Sequence, residues 1–208
     1  MTSVVYFNFI PIRVPKKKIY RRLGYRTGVT QMSVEQGHEI DANIDDAHDL
    51  IDLKGAALRI PVVRMDATAV ILADDTVFKS EHLARMLRDC DELVVMGVTG
   101  GSRIIEAIGK DTATENLSRG VVLDAAAGEI VDEALEWVID YWNHQLRREN
   151  KTLPKKRFSA GYGDFLLEHQ KIIYDMLHLE RIGIHITDRY ILVPEKSVTA
   201  VAGIEQKP

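Results

Sequence analysis

Polar and apolar positions along the chain change period repeatedly, and each change marks an element. Val4 to Ile12 alternates and is rich in aromatic residues, which predicts a strand ended by Pro11 and Pro15. Lys16 to Leu23 predicts a short helix stopped at Gly24. Between Val34 and Leu53, apolar residues fall at Ile40, Ile44, Ala47, Leu50 and Ile51, with acids on the other face. That is helical spacing. The Val- and Ile-rich stretch from Ala56 to Leu72 predicts two strands joined near Met65-Asp66. Ser80 is placed to cap a helix running to Asp89, with Leu83, Met86 and Leu87 inward. Glu92 to Thr99 is a compact apolar strand, and Thr99-Gly100-Gly101-Ser102 turns into a helix from Arg103 to Ile108.

One long helical pattern runs from Leu117 to Arg148, with an expected break near Ala126-Ala127-Gly128. Asn150 to Lys156 is a polar connector. Leu166 to Leu177 predicts a helix that Asp164 can cap. Arg181 to Thr187, Arg189 to Val193 and Ser197 to Ile204 predict strands. Strands and helices mix without strict alternation. The expected fold class is therefore α+β, a twisted, largely antiparallel sheet flanked by helices, rather than a doubly wound fold. Residues 1–208 are expected to form a single domain.

Composition narrows the function. Of 208 residues, 46% are apolar, enough for a buried core, and the formal net charge is −4. That charge speaks against general nucleic-acid binding, which needs a clustered positive excess. The basic run Lys16-Lys17-Lys18 with Arg21 and Arg22 is local and reads as a solvated helix start. No apolar run reaches the ~20 residues that cross a bilayer. The N-terminus does not read as a signal peptide. No membrane association and a cytoplasmic location are expected. Cys90 is the only cysteine, so no intrachain disulfide can form. Its acidic neighbours Asp89, Asp91 and Glu92 oppose a thiolate, so it reads as a small apolar residue.

The seven histidines are scattered without metal-ligand spacing, and no metal site is expected. No Gly-x-Ser-x-Gly elbow and no convincing acid–base pair occur, so no catalytic residues are assigned. Thr99-Gly100-Gly101-Ser102 resembles an anion-binding helix start but reads better as a tight turn.

One segment carries chemistry. In Arg157-Phe158-Ser159-Ala160-Gly161-Tyr162-Gly163-Asp164 an arginine precedes a loop of small residues. A guanidinium can hold a carboxylate through two parallel hydrogen bonds, and a glycine loop lets backbone groups approach the same ligand. The pattern suits a small zwitterion, such as an amino acid or an amino-acid-bearing cofactor.

This segment is followed by Arg181-Ile182-Gly183-Ile184, Thr187-Asp188 and Pro194-Glu195-Lys196-Ser197-Val198-Thr199-Ala200. In this order and spacing the chain resembles the activation domain of cobalamin-dependent methionine synthase, in a stand-alone form. The similarity is strongest from Arg157 to about Val201. It extends more weakly to Asp132, Glu136, Asp140, Tyr141 and Arg147, and to Cys90-Asp91-Glu92 through Thr99-Gly100. The resemblance implies binding of S-adenosylmethionine for reductive methylation of cob(II)alamin, with the cobalamin carried by the partner protein. That partner would be a cobalamin-dependent methionine synthase or another corrinoid protein, served by an electron donor such as a flavodoxin. It implies that Arg157 holds the cofactor's carboxylate. Ser159 and Gly161 would offer it backbone groups, Tyr162 would wall the pocket, and Glu136 would be an acidic contact. Ala160 stands where the family usually has proline, and Ala202 where the long enzymes have a tyrosine. Two alternatives stay open: a non-catalytic module that caps a corrinoid protein without using S-adenosylmethionine, and a methyltransferase with a different small acceptor.

Overall fold

The computed structural model describes residues 3–26, 28–114 and 116–207. Its centre is strand β5 (Glu92–Thr99), whose seven residues from Leu93 onward are all buried. β5 pairs on one side with β2 (Lys54–Met65) and on the other with β9 (Ser197–Gln206). On its far edge β2 takes both β1 (Val5–Phe7) and β3 (Ala69–Leu72), and β3 pairs with β4 (Val77–Lys79). β6 (Lys151–Thr152) closes the opposite edge against β9. β7 (His185–Ile186) and β8 (Leu192–Val193) form a separate hairpin. Every strand pair is antiparallel, as the sequence pattern predicts.

Side chains alternate across a strand, and β5 shows both faces covered. Val94, Met96 and Val98 join one core, while Leu93 and Val95 join the other. The first core lies under α1 (Lys16–Arg22), α2 (Val34–Leu50), α4 (Arg103–Thr112) and α5 (Leu117–Leu146). The second lies under α3 (Glu81–Met86), α6 (His169–Leu177) and the β7–β8 hairpin. Helix α2 opens with a capping box, in which Ser33 and Gln36 each satisfy the other's backbone N–H.

Several local expectations are corrected. Helix α5 runs unbroken through Ala126-Ala127-Gly128. Both alanines are fully buried, and Arg22 of α1 lies over Gly128, where a Cβ would come within 3.2 Å of its guanidinium carbon. The glycine there makes room for a neighbouring helix. Of the expected strand from Arg181 to Thr187 only His185–Ile186 is a strand; Arg181 and Ile182 end a 3₁₀ turn, Leu179–Ile182, which Gly183 closes in the left-handed region. β1 is confined to Val5–Phe7, α3 stops at Met86 and β4 was not anticipated. Cys90 is buried as expected, and burial pushes its thiol up to about 11.

Across β2, β5 and the 3₁₀ turn Arg147–Glu149 that follows α5, Arg59 bonds Glu92 and Glu149 together, and Lys151 adds a second cation to Glu92. Arg59 foremost lowers the Glu149 carboxyl from 4.5 to about 2. A carboxylate with a depressed value stabilises the fold above its ordinary pKa and loses that contribution as pH falls. The window for Glu149 therefore lies between 4.5 and about 2. The group is 42% exposed, and screening limits the contribution to about 1 kcal/mol. Glu149→Gln should reduce stability in urea melts at about pH 6, and the deficit should shrink by about pH 3. A deficit that stays constant across that range would contradict the assignment.

Candidate functional site

The Arg157 loop is built onto the edge of β9. After β6 the chain runs back along that edge, and Phe158 and Val201 exchange both backbone hydrogen bonds, at 2.9 and 2.8 Å. Because neighbouring side chains point to opposite sides, Phe158 and Arg157 diverge. Phe158 goes to the α3–α6 core, where it stacks on Phe165 with ring centroids 6.1 Å apart. Arg157 reaches α5, and its Nη2 donates to Asp132 Oδ1 at 3.2 Å. Its side chain is 22% exposed. Among the described residues, this is its one side-chain hydrogen bond, so most of the N–H groups of the guanidinium fork have no protein partner.

The turn that follows is tightly held. Gly161 N–H donates to the Phe165 carbonyl at 2.7 Å, and Phe165 N–H returns to Tyr162 at 3.0 Å. The Ser159 carbonyl accepts from Tyr162 N–H at 3.3 Å. Of the groups expected to meet a cofactor, the Gly161 N–H is therefore engaged. The Ser159 hydroxyl and the Gly161 carbonyl have no protein partner among the described residues. Gly163 has φ +56°, and a Cβ there would come within 2.6 Å of His82 Nδ1, so the position requires glycine. Tyr162 is 68% exposed at the tip of the loop. Its ring stands clear of the protein.

Asp164 does not cap α6. Its carboxylate crosses to α3, where it accepts from Ser80 Oγ at 2.6 Å, Glu81 N–H at 2.6 Å and His82 N–H at 3.3 Å. These donors, Ser80 foremost, hold the Asp164 carboxyl below its ordinary value. The reason is that residues 166–168 form a turn before α6 starts, which takes Asp164 out of capping reach. Asp164 instead fastens the end of the loop to a different helix.

Glu136 lies one turn beyond Asp132 on α5, on the same face. It accepts from Lys155 at 2.6 Å and from Lys18 of α1 at 3.3 Å. Lys155 first, then Lys18, lowers its carboxyl below the usual range. Arg157, Asp132 and Glu136 thus meet along one face of α5. In the sequence Asp132 stands out only through the weaker similarity of its helix, and nothing in its own neighbourhood marks it as the partner of Arg157.

The Thr99–Ser102 turn packs against the C-terminal loop. Gly100 N–H donates to the Lys196 carbonyl at 2.8 Å, and Gly101 N–H to Thr99 Oγ1 at 3.1 Å. Lys196 then pairs with Asp124 of α5 at 2.8 Å. His169 is buried. Its Nε2 accepts from Lys79 N–H, which places the ring proton on Nδ1, facing the Leu166 carbonyl. Among the described residues no group of three or more His, Cys, Asp or Glu could hold a metal ion. No described helix is long and apolar enough to cross a membrane.

No protein-family model and no curated protein matches the chain. Among solved structures it is similar to a crystal structure of the MetH reactivation domain bound to AdoHcy, with a TM-score of 0.64. The superposition covers 98% of this chain and 78% of that one, at 14% identity. The fold is that of the MetH reactivation domain. At this identity the likeness speaks for the arrangement of helices and sheet, and the chemistry has to come from the residues themselves.

Proposed function

We propose that this chain is a stand-alone reactivation domain. It binds S-adenosylmethionine and offers its methyl group to a corrinoid held by a partner protein. The observation that carries this reading is the Arg157 guanidinium, which is anchored on Asp132 by one bond and has no other protein partner among the described residues. It sits beside a glycine loop fixed to β9, within the fold of a domain known to bind AdoHcy.

The residues fit such a ligand. S-adenosylmethionine carries a carboxylate, an ammonium and a sulfonium. Arg157 would take the carboxylate through its free N–H groups. Asp132 is half exposed next to it and would face the ammonium. The Ser159 hydroxyl and the Gly161 carbonyl add polar contacts at the loop. Tyr162 would close over the bound molecule. Glu136 enters only if Lys155, itself 68% exposed, moves aside. When bound, S-adenosylmethionine supplies an electrophilic methyl group. The chain's own part is to hold and orient that donor, and such positioning is worth several kcal/mol of a transfer barrier. The cobalamin, the methionine synthase or other corrinoid partner, and a reductant such as a flavodoxin would come from outside the chain. In this reading residues 1–208 act as one unit in the cytoplasm.

Calorimetric titration with S-adenosylmethionine and S-adenosylhomocysteine tests the reading. Saturable binding of both, at one site per chain, is expected. Absence of binding, with and without a corrinoid protein present, would overturn it. Co-purification with a corrinoid protein that is indifferent to either ligand would favour the non-catalytic capping module.

A further inference from the structure

The basic run at the start of α1 divides into two sets. Lys16 pairs with Asp41 and Asp45 of α2, Lys18 with Glu133 and Glu136 of α5, and Arg22 with Glu129 of α5. Lys17 and Arg21 form no ion pair among the described residues, and neither does Arg26. Lys17 and Arg21 are four residues apart on one helix, where like charges repel. The chain has 31 acids against 27 basic residues, so carboxylates are not scarce. They have been placed against one face of the run and left off the other.

The unpaired set converges on a cavity. About 600 Å³ is bounded by Lys17, Tyr20, Arg21, Tyr25, Arg26 and Met32, together with the paired Lys16 and Asp41. The volume lies in the range of small-molecule sites. The two tyrosine rings meet edge to face, 5.8 Å apart at 75°. The Tyr20 hydroxyl lies 3.3 Å from both the Gly37 carbonyl and Asp41 Oδ1 and shares its one proton between them, which fixes its ring. The Tyr25 hydroxyl has no partner among the described residues, and its ring is half-buried.

We propose that this cavity is a second ligand site, separate from the Arg157 loop, and that it takes a nucleotide. Two guanidinium groups and an ammonium suit the phosphate oxygens. The Tyr25 face suits a planar base, since stacking on an aromatic side chain tolerates any ring. α1 separates the two sites: Lys18 faces Glu136 of α5, and Lys17 and Arg21 face the cavity. The proposal does not depend on the reading of the Arg157 loop.

The test is calorimetry on the full chain with ADP and, separately, with inorganic pyrophosphate. Wild-type protein should bind both saturably. Lys17→Glu with Arg21→Glu should weaken both by at least ~10-fold, since charge-assisted bonds to phosphate are removed. Tyr25→Ala should weaken ADP by at least ~5-fold and leave pyrophosphate unchanged, because only the nucleotide stacks. Lys17, Arg21 and Arg26 are exposed and Tyr25 is half-buried against the core, and circular dichroism checks that each variant is folded. Arg26→Gln, outside the helix, should reproduce the loss on a smaller scale. No ADP binding by the wild type would overturn the site. So would ADP affinity untouched by the charge reversals. A Tyr25→Ala variant that binds ADP normally would overturn the nucleotide assignment.

Discussion

Phe165→Ala should destabilise the protein by about 3–5 kcal/mol, the usual cost of emptying a large aromatic site in a closed core. Phe165 is fully buried. It meets Phe78 edge to face at 5.4 Å, stacks on Phe158 at 6.1 Å and lies 4.6 Å from the His169 ring. Aromatic pairs of this kind add to simple area burial. The ring also ties the site to the core, because the Phe165 backbone holds both ends of the Gly161–Tyr162 turn. Truncation leaves a cavity directly beneath that turn. Chemical denaturation should therefore show a large drop in midpoint with little change in slope. Phe165→Leu keeps most of the volume and should cost less than about 1.5–2 kcal/mol. If Phe165→Ala costs no more than Phe165→Leu, the ring is not the anchor of the loop.

The sheet and the site differ in how far they could be read from sequence. β5 was legible because its apolar run is continuous, as a strand buried on both faces requires. α2 was legible because its apolar positions recur at helical spacing. Where the reading failed, a distant contact overrode a local signal. Gly128 looked like a break, but it is where Arg22 of α1 crosses α5 on its way to Glu129. Asp164 looked like a cap for the nearest helix, yet it serves α3, about eighty residues earlier in the chain. The basic run at Lys16 looked like a uniform solvated face. Its division into paired and unpaired sides depends on where α2 and α5 pack, which no local pattern encodes. The Arg157 loop stood out because its residue types are chemically unusual together. Its partner Asp132 lies twenty-five residues away, and their meeting needs the return of the chain along β9.

Arg157→Ala should weaken S-adenosylmethionine binding by about 10- to 100-fold, the loss expected when a bidentate, charge-assisted pair with a carboxylate is removed. The fold should hardly notice. The Arg157–Asp132 pair spans 3.2 Å with Asp132 50% exposed, and such pairs contribute about 0–1 kcal/mol. Binding and stability therefore separate in this variant, which a purely structural role for Arg157 would not allow. Arg157→Lys keeps the charge but loses the planar fork, so it should recover only part of the affinity. Asp132→Ala tests the other half of the pair. It removes the acid expected to face the ligand's ammonium and frees the guanidinium from its one tether. Its effect on a zwitterion should therefore be unfavourable and smaller than that of Arg157→Ala. A simple carboxylate without the ammonium separates the two roles. Asp132→Ala should leave its binding unchanged or tighter, and Arg157→Ala should abolish it. Should Arg157→Ala bind S-adenosylmethionine as tightly as the wild type while melting earlier, Arg157 would be a strut between β9 and α5, and the ligand would have to sit elsewhere.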